Sequence, residues 1–237
     1  VGANLGYFTL LAAACLQNTG QVVAFEPGQS AFDCLTENIS LNNFTNILPC
    51  PIAATNREGE AVLYSVRGLV DGQANLYRPR AGQTACEKIT TVTLDSWRRQ
   101  QVLAGPDFIK LDVEGAELAA LTGAQEALGD NAPLLLVEMK EAIFQSLGTD
   151  RSAIQEFLNR WGYRPAWQGV AAPCVATSRR WSAATSSGCS RICSGTAKKP
   201  LGRSLGNSNQ DGLKSSKEPS GAELTSGTLV SLVFVIS

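Results

Sequence analysis

Two groups of residues in this chain have the types and spacing to do chemistry. The first is the turn Gly2-Ala3-Asn4-Leu5-Gly6 together with Glu26, which stands 20 residues beyond Gly6. A turn from a strand into a helix lets a ligand reach its backbone only where Cβ atoms are absent, which suits Gly2 and Gly6. The helix beyond offers unpaired N–H groups and the positive end of its dipole, a setting for a carboxylate or phosphate. An acid at the carboxyl end of the next strand, where Glu26 falls, can accept hydrogen bonds from both hydroxyls of a ribose. The expected ligand therefore carries a ribose and an anionic or zwitterionic group. A dinucleotide turn usually reads G-x-G-x-x-G, its second glycine admitting the pyrophosphate. Here that position is Asn4, whose side chain crowds a pyrophosphate but can hydrogen-bond an amino-acid group. This favours S-adenosylmethionine (SAM) over NAD.

The second group is Asp112 and Glu114 in "DFIKLDVEG", at the end of an expected strand and so at the carboxyl edge of a sheet, where ligands bind. Methyl transfer from a sulfonium is an in-line displacement, accelerated mainly by positioning the acceptor oxygen, with a base adding roughly 10²–10⁴-fold. The chain has no histidine, which leaves Asp112, Glu114, Glu138 or Lys110 as the base. Asp112 ends the strand nearest the expected methyl group and is the first choice; Asp112 and Glu114 as caps of the helix near Gly115 is the competing reading. Glu138 could line the pocket, and Mg²⁺ held by Asp112 and Glu138 is conceivable, but no metal is assigned. Asp95 in "TLDSW" reads as a helix cap, and Asn38 as a helix-end polar contact or a residue facing the cofactor.

Alternating strands and helices must position these groups. Residues 1–16 read as the glycine turn entering a helix, with Leu5, Phe8, Leu11, Ala12 and Leu16 near helical spacing. "QVVAFEP" (21–27) is a strand, "SAFDCLTENISLNN" (30–43) a helix with Ser30 as N-cap, and "NILPCPIAAT" (46–55) a proline-broken edge strand. "EAVLYSV" (60–66), "KITTVTL" (88–94), "DFIKLDVEG" (107–115) and "PLLLVEM" (133–139) are further strands. "AELAALTGAQEALG" (116–129) and "DRSAIQEFLNRWGY" (150–163), capped by Asp150, are helices. This alternation indicates an α/β fold with a largely parallel sheet.

The chain has 237 residues, the size of one ordinary domain with room for a poorly structured segment. Residues 178–237 hold eight Lys or Arg against three acids, with 14 serines and 7 glycines, whereas the rest carries 12 basic and 18 acidic residues. An acidic body argues against a nucleic-acid groove. The Ser/Gly-rich stretch cannot offset its ordering entropy and is expected to be a disordered tail after a domain spanning 1–177, its closing "TLVSLVFVIS" strand-like or frayed. No apolar run approaches the roughly 18 residues of a membrane span. Seven cysteines with no C-x-x-C pair, the nearest two being Cys189 and Cys193, fit reduced thiols in a cytoplasmic protein.

"VGANLGYFTLLAA", "VVAFEP", L-x-x-N at 35–38, "TLDSW" and above all "DFIKLDVEGAE" resemble the FkbM-type SAM-dependent methyltransferases. The resemblance covers roughly 1–140 and fades by about 175. It implies the Rossmann-like class I methyltransferase fold, a mostly parallel seven-stranded sheet with helices on both faces, and O-methylation of a sugar, glycan or polyketide-like secondary metabolite. Family members carry an acid just before this Val-Gly, and this chain starts one residue later, so the first strand is expected to be truncated. The implied catalytic residues are Asp112 and Glu114; Gly2, Asn4, Gly6, Glu26 and Asp112 would hold the cofactor. The expected partner is a small-molecule or glycan acceptor, with no nucleic acid and no membrane. The rivals are a non-catalytic module keeping the fold and a nucleotide-cofactor oxidoreductase. Loops 65–87 and 140–150, which would shape the acceptor pocket, carry no readable motif.

Overall fold

The first helix enters the fold on its smallest side chains. In the computed structural model, which describes residues 2–17, 19–65, 74–76, 82, 84–140, 143–144, 151–166, 174–178 and 231–236, α1 (Tyr7–Leu16) buries Thr9 and Ala13. Ala13 packs on Val22 of β1 (Gly20–Phe25), so the helix lies close to the strand. The expected apolar stripe is buried only in part: Ala12 and Leu16 pack against the same cluster, whereas Leu5, Phe8 and Leu11 are exposed, as is Tyr7. Small side chains win here because they let two backbones approach closely.

Beyond β1, α2 (Gln29–Leu41) buries Leu35 and leads to β2 (Ile47–Cys50), which pairs parallel with β1 at the sheet edge. The helix starts one residue before Ser30, with Gly28 at its N-cap, and the Glu87 carboxylate accepts the Gln29 N–H at 3.0 Å. The expected strand 46–55 divides after Cys50. β3 (Ala53–Ala54) belongs to a separate three-stranded sheet with β4 (Gly59–Ser65) and β5 (Thr84–Val92), in the order β3-β5-β4. Pro51 supplies no N–H for the ladder, so the chain changes sheet there.

The rest of the main sheet is built from β6 (Phe108–Leu111), β7 (Leu134–Val137), β8 (Tyr163–Ala166) and β9 (Cys174–Ser178), with α3 (Leu94–Gln100) preceding β6. The expected helix 116–129 is two helices, α4 (Glu117–Thr122) and α5 (Gln125–Asn131). They break at Gly123, where a Cβ would lie 1.9 Å from the Thr55 carbonyl oxygen, so only glycine lets the backbones meet. Next comes α6 (Arg151–Arg160), which buries Ile154, Phe157 and Leu158; its expected cap Asp150 lies outside the described residues. One hydrophobic core runs from Phe25, Leu111, Leu135 and Val137 of the main sheet to Leu63 and Ile89 of the small one, with Trp97 edge-on to Phe25 at 4.9 Å.

The strand order is β2-β1-β10-β6-β7-β9-β8, where β10 is Ser231–Ile236. Of the two readings of the closing "TLVSLVFVIS", strand-like and frayed, the strand is the one found; residues 179–230 lie outside the described residues. β10 runs parallel to both neighbours, from Gly20↔Ser231 to Phe25↔Ile236 on one side and Val233↔Phe108 to Val235↔Lys110 on the other. The place between β1 and β6 is thus taken by β10, which lies far along the chain from both. The cause is physical: β1 and β6 each present a row of N–H and C=O groups that must pair, and "SLVFVI" is a β-branched run suited to a ladder. β9 is antiparallel to β7 and β8, and the remaining pairs of this sheet are parallel.

Candidate cofactor and acceptor site

From β1 the chain winds outward to β2, and it returns on the far side through β6 and β7, so the order reverses between β1 and β6. Ligands of open α/β sheets bind in the crevice at such a reversal, beyond the carboxyl ends of the strands. Both groups singled out from the sequence are found there.

The glycine turn is folded by its own backbone and by α2. Gly2, Asn4 and Gly6 have φ of 96°, 48° and 93°, the left-handed region, which glycine enters freely and asparagine more readily than most residues. At Gly6 a Cβ would also stand 2.7 Å from Leu35 Cδ1. Three residues along α2, Asn38 Nδ2 donates to the Leu5 carbonyl oxygen at 2.8 Å. The L-x-x-N pattern is therefore a clamp on the turn: leucine fills the space glycine leaves, and asparagine takes a carbonyl. Of the two readings of Asn38, the polar contact is the one observed.

Glu26 closes the turn from below. Its Oε2 accepts the Asn4 N–H at 2.8 Å and its Oε1 accepts the Gly28 N–H at 2.9 Å, while Ala3 N donates to the Phe25 carbonyl at 2.9 Å. Burial raises the Glu26 carboxyl above its usual range, and the two backbone donors oppose that shift. Each carboxylate oxygen keeps a lone pair for a further donor such as a ribose hydroxyl. Asn4 Oδ1 is buried and, among the described residues, has no hydrogen-bond partner. A buried carbonyl of this kind calls for a donor, and the ammonium of an amino acid is one.

The second group forms at the ends of β6 and β7. Lys110 Nζ, almost fully buried, donates to Asp112 Oδ2 at 3.1 Å and lies 4.4 Å from the centre of the Phe8 ring, tying α1 to this strand end. Lys140 Nζ donates to Glu114 Oε1 at 2.6 Å and to Glu138 Oε2 at 2.8 Å. Asp112 and Glu138 face one another in this cluster, close enough to share a proton. The side chains of Asp112 and Glu138 are 28% and 33% exposed, whereas that of Glu114 is 6% exposed, so the first two are accessible from outside and the third is not. Burial and then the Asp112 carboxylate push Glu138 up to about 7. Burial works to raise Asp112 as well, but the Glu138 hydrogen bond and the Lys110 ammonium hold it below the usual carboxylate range. Three carboxylates with ligand atoms within 4.8 Å have the spacing of a cation site, but two ammonium groups already lie against them. Two lysines leave this trio about one charge from neutrality, a poor match for a divalent ion.

Sequence reasoning missed Glu117, the last letter of "DVEGAE". Its Oε1 accepts the N–H groups of Val113 and Gly115 at 3.2 and 3.1 Å, holding a loop in which Glu114 and Gly115 have positive φ. Those loop N–H groups go to Glu117 rather than to the carboxylate of Asp112. An acid two residues beyond a glycine, in the first turn of a helix, was the available signal. Asp95 is a cap, but of a distant helix: it accepts the Glu126 and Ala127 N–H groups at 2.8 and 3.0 Å at the start of α5, and Thr93 caps its own helix.

A parallel sheet reversing beside a glycine turn, with an acid ending the next strand, defines a Rossmann-like protein of the class I methyltransferase type. The methyltransferase FkbM domain matches residues 1–165, and the chain belongs to that family. Among solved structures, the FkbM methyltransferase from Methylobacillus flagellatus KT superposes with a TM-score of 0.54 at 18% identity, over 74% of this chain and 41% of that one. This chain thus spans about two fifths of that protein's length. A candidate rRNA methylase from Clostridium thermocellum gives a TM-score of 0.40 at 13% identity, over 73% of this chain and 80% of the other. No curated relative matches the chain.

Proposed function

We propose that the protein is a SAM-dependent methyltransferase acting on a hydroxyl of a small molecule, such as a sugar, glycan or secondary metabolite. The observation that carries this reading is the turn around Asn4: two positive-φ glycines, a carboxylate anchored beneath them, and a buried amide oxygen wanting a donor. Glu26 would take the ribose hydroxyls, Asn4 the amino-acid end, and the open backbone at Gly2 and Gly6 the body of the cofactor. SAM, when bound, supplies an electrophilic methyl group. The chain's own work is to orient an acceptor hydroxyl against Asp112 and to take up its proton at the carboxylate cluster, with Glu114 holding Lys140 in place.

No described helix is long and apolar enough to cross a membrane, and this reading places the protein in the cytoplasm without nucleic-acid or membrane partners. The expected acceptor loops fall largely in residues outside the described ones, so the acceptor class rests on the carboxylates alone.

Glu26→Ala tests the cofactor reading. It removes two charge-assisted hydrogen bonds, each worth ~1.5–3 kcal/mol. SAM affinity is expected to fall by roughly tenfold or more, on the scale where ~1.4 kcal/mol is one decade. An unchanged dissociation constant, with the fold intact by circular dichroism, would show that Glu26 does not serve the ribose.

A further inference from the structure

The contact between Asp112 and Glu138 is unusual because both side chains are carboxylic. Two ionised carboxylates this close repel, so the pair takes up a proton more readily than either group would alone. The groups around the pair decide where it resides. Asp112, at the end of β6, has the buried Lys110 ammonium beside it at 3.1 Å on the same strand. Glu138, just past β7, has only a share of Lys140, whose Nζ also reaches the more deeply buried Glu114 at 2.6 Å. The charged groups facing Glu138 are thus Asp112 and Lys110 from β6, Glu114 from the loop after it, and Lys140 on its own segment.

We infer that Asp112 and Glu138 act as one proton-holding pair, in which Asp112 stays ionised to receive the acceptor hydroxyl and Glu138 stores the proton released by methyl transfer. The inference rests on the methyltransferase reading. In the step, the acceptor O–H bond breaks and an O–CH3 bond forms, while the C–S bond of the sulfonium donor breaks and its electron pair returns to sulfur. The proton goes to Asp112 and onward through the hydrogen bond to Glu138. One-third exposure lets Glu138 release it to water before the next turnover. A base of this kind must be empty to work, so the rate should rise with pH as Glu138 ionises, and Glu138 is pushed up to about 7.

The pair can be read directly by carbon-13 NMR of the side-chain carboxyls in the whole protein, without an acceptor. The expected result is one glutamate signal with a midpoint near neutral pH, absent from Glu138→Gln and moved toward the ordinary glutamate range in Asp112→Asn. A Glu138 midpoint in the ordinary range, or one that Asp112→Asn does not move, would overturn the proposal. In turnover, the rising limb of the kcat/KM profile near pH 7 is expected to vanish in Glu138→Gln; its persistence would equally overturn it. Calorimetric SAM binding on the same samples keeps the two readings separate: loss of SAM binding would sink the methyltransferase reading, and a wrong midpoint would sink only the pair.

Discussion

Val233→Pro is expected to abolish cooperative folding. Val233 lies in the middle of β10, opposite Val22 on one side and Phe108 on the other. Proline at a central strand position removes a ladder hydrogen bond and is found essentially only at edges or bulges. Losing β10 would part the sheet into β2-β1 and β6-β7-β9-β8, leaving two rows of unpaired backbone groups. Each lost hydrogen bond costs about 1 kcal/mol, and each group left buried without a partner costs about 1–3 kcal/mol. Together these rival the whole stability of a domain, roughly 5–15 kcal/mol. Thermal denaturation followed by circular dichroism should show no sharp transition for Val233→Pro or for a chain ending before Ser231. A melting temperature equal to that of the unaltered chain would mean that residues 231–236 do not pair in the sheet.

The second large effect is expected at Asp112. Asp112→Asn keeps the shape of the side chain but removes its charge, so Lys110 loses its partner and the acceptor hydroxyl loses its receiving group. Turnover should fall by about 10²-fold or more, the usual worth of a positioned base, while SAM affinity changes much less. Glu114→Gln should do less, since Glu114 is buried against Lys140 rather than facing the acceptor. Steady-state kinetics with a panel of hydroxyl acceptors, alongside SAM binding, checks both variants. Normal turnover in Asp112→Asn would remove the residue from the reaction.

Much of this site was legible in the sequence because its signals are local. Gly2 and Gly6 announce a turn open to a ligand for want of Cβ atoms, Glu26 ends the next β-branched run, and "FIKLD" announces a strand that stops at an acid. What escaped depends on distance. Leu35 packs on Gly6 and Asn38 reaches Leu5, so the reason for L-x-x-N lies across the fold, not along the helix. Asp95 caps a helix 31 residues later for the same reason. Lys140 escaped because its partners Glu114 and Glu138 come from two strand ends brought together only by β6–β7 pairing. The apolar stripe of α1 misled at Leu5, Phe8 and Leu11 because periodicity reports which residues are greasy, whereas close packing on β1 selected Thr9 and Ala13. For β10 only the strand-like run was legible: no local pattern says which strands it will pair with, and its partners β1 and β6 lie far off along the chain.

The central claim is that the turn at Asn4 holds S-adenosylmethionine and not a dinucleotide. Calorimetric titration of the unaltered protein with S-adenosylhomocysteine and, separately, with NAD tests it most directly. The account predicts saturable one-to-one binding of S-adenosylhomocysteine and no heat of binding for NAD, because Asn4 stands where a pyrophosphate needs glycine. Saturable binding of NAD, or none of S-adenosylhomocysteine by protein with a cooperative melting transition, would contradict it.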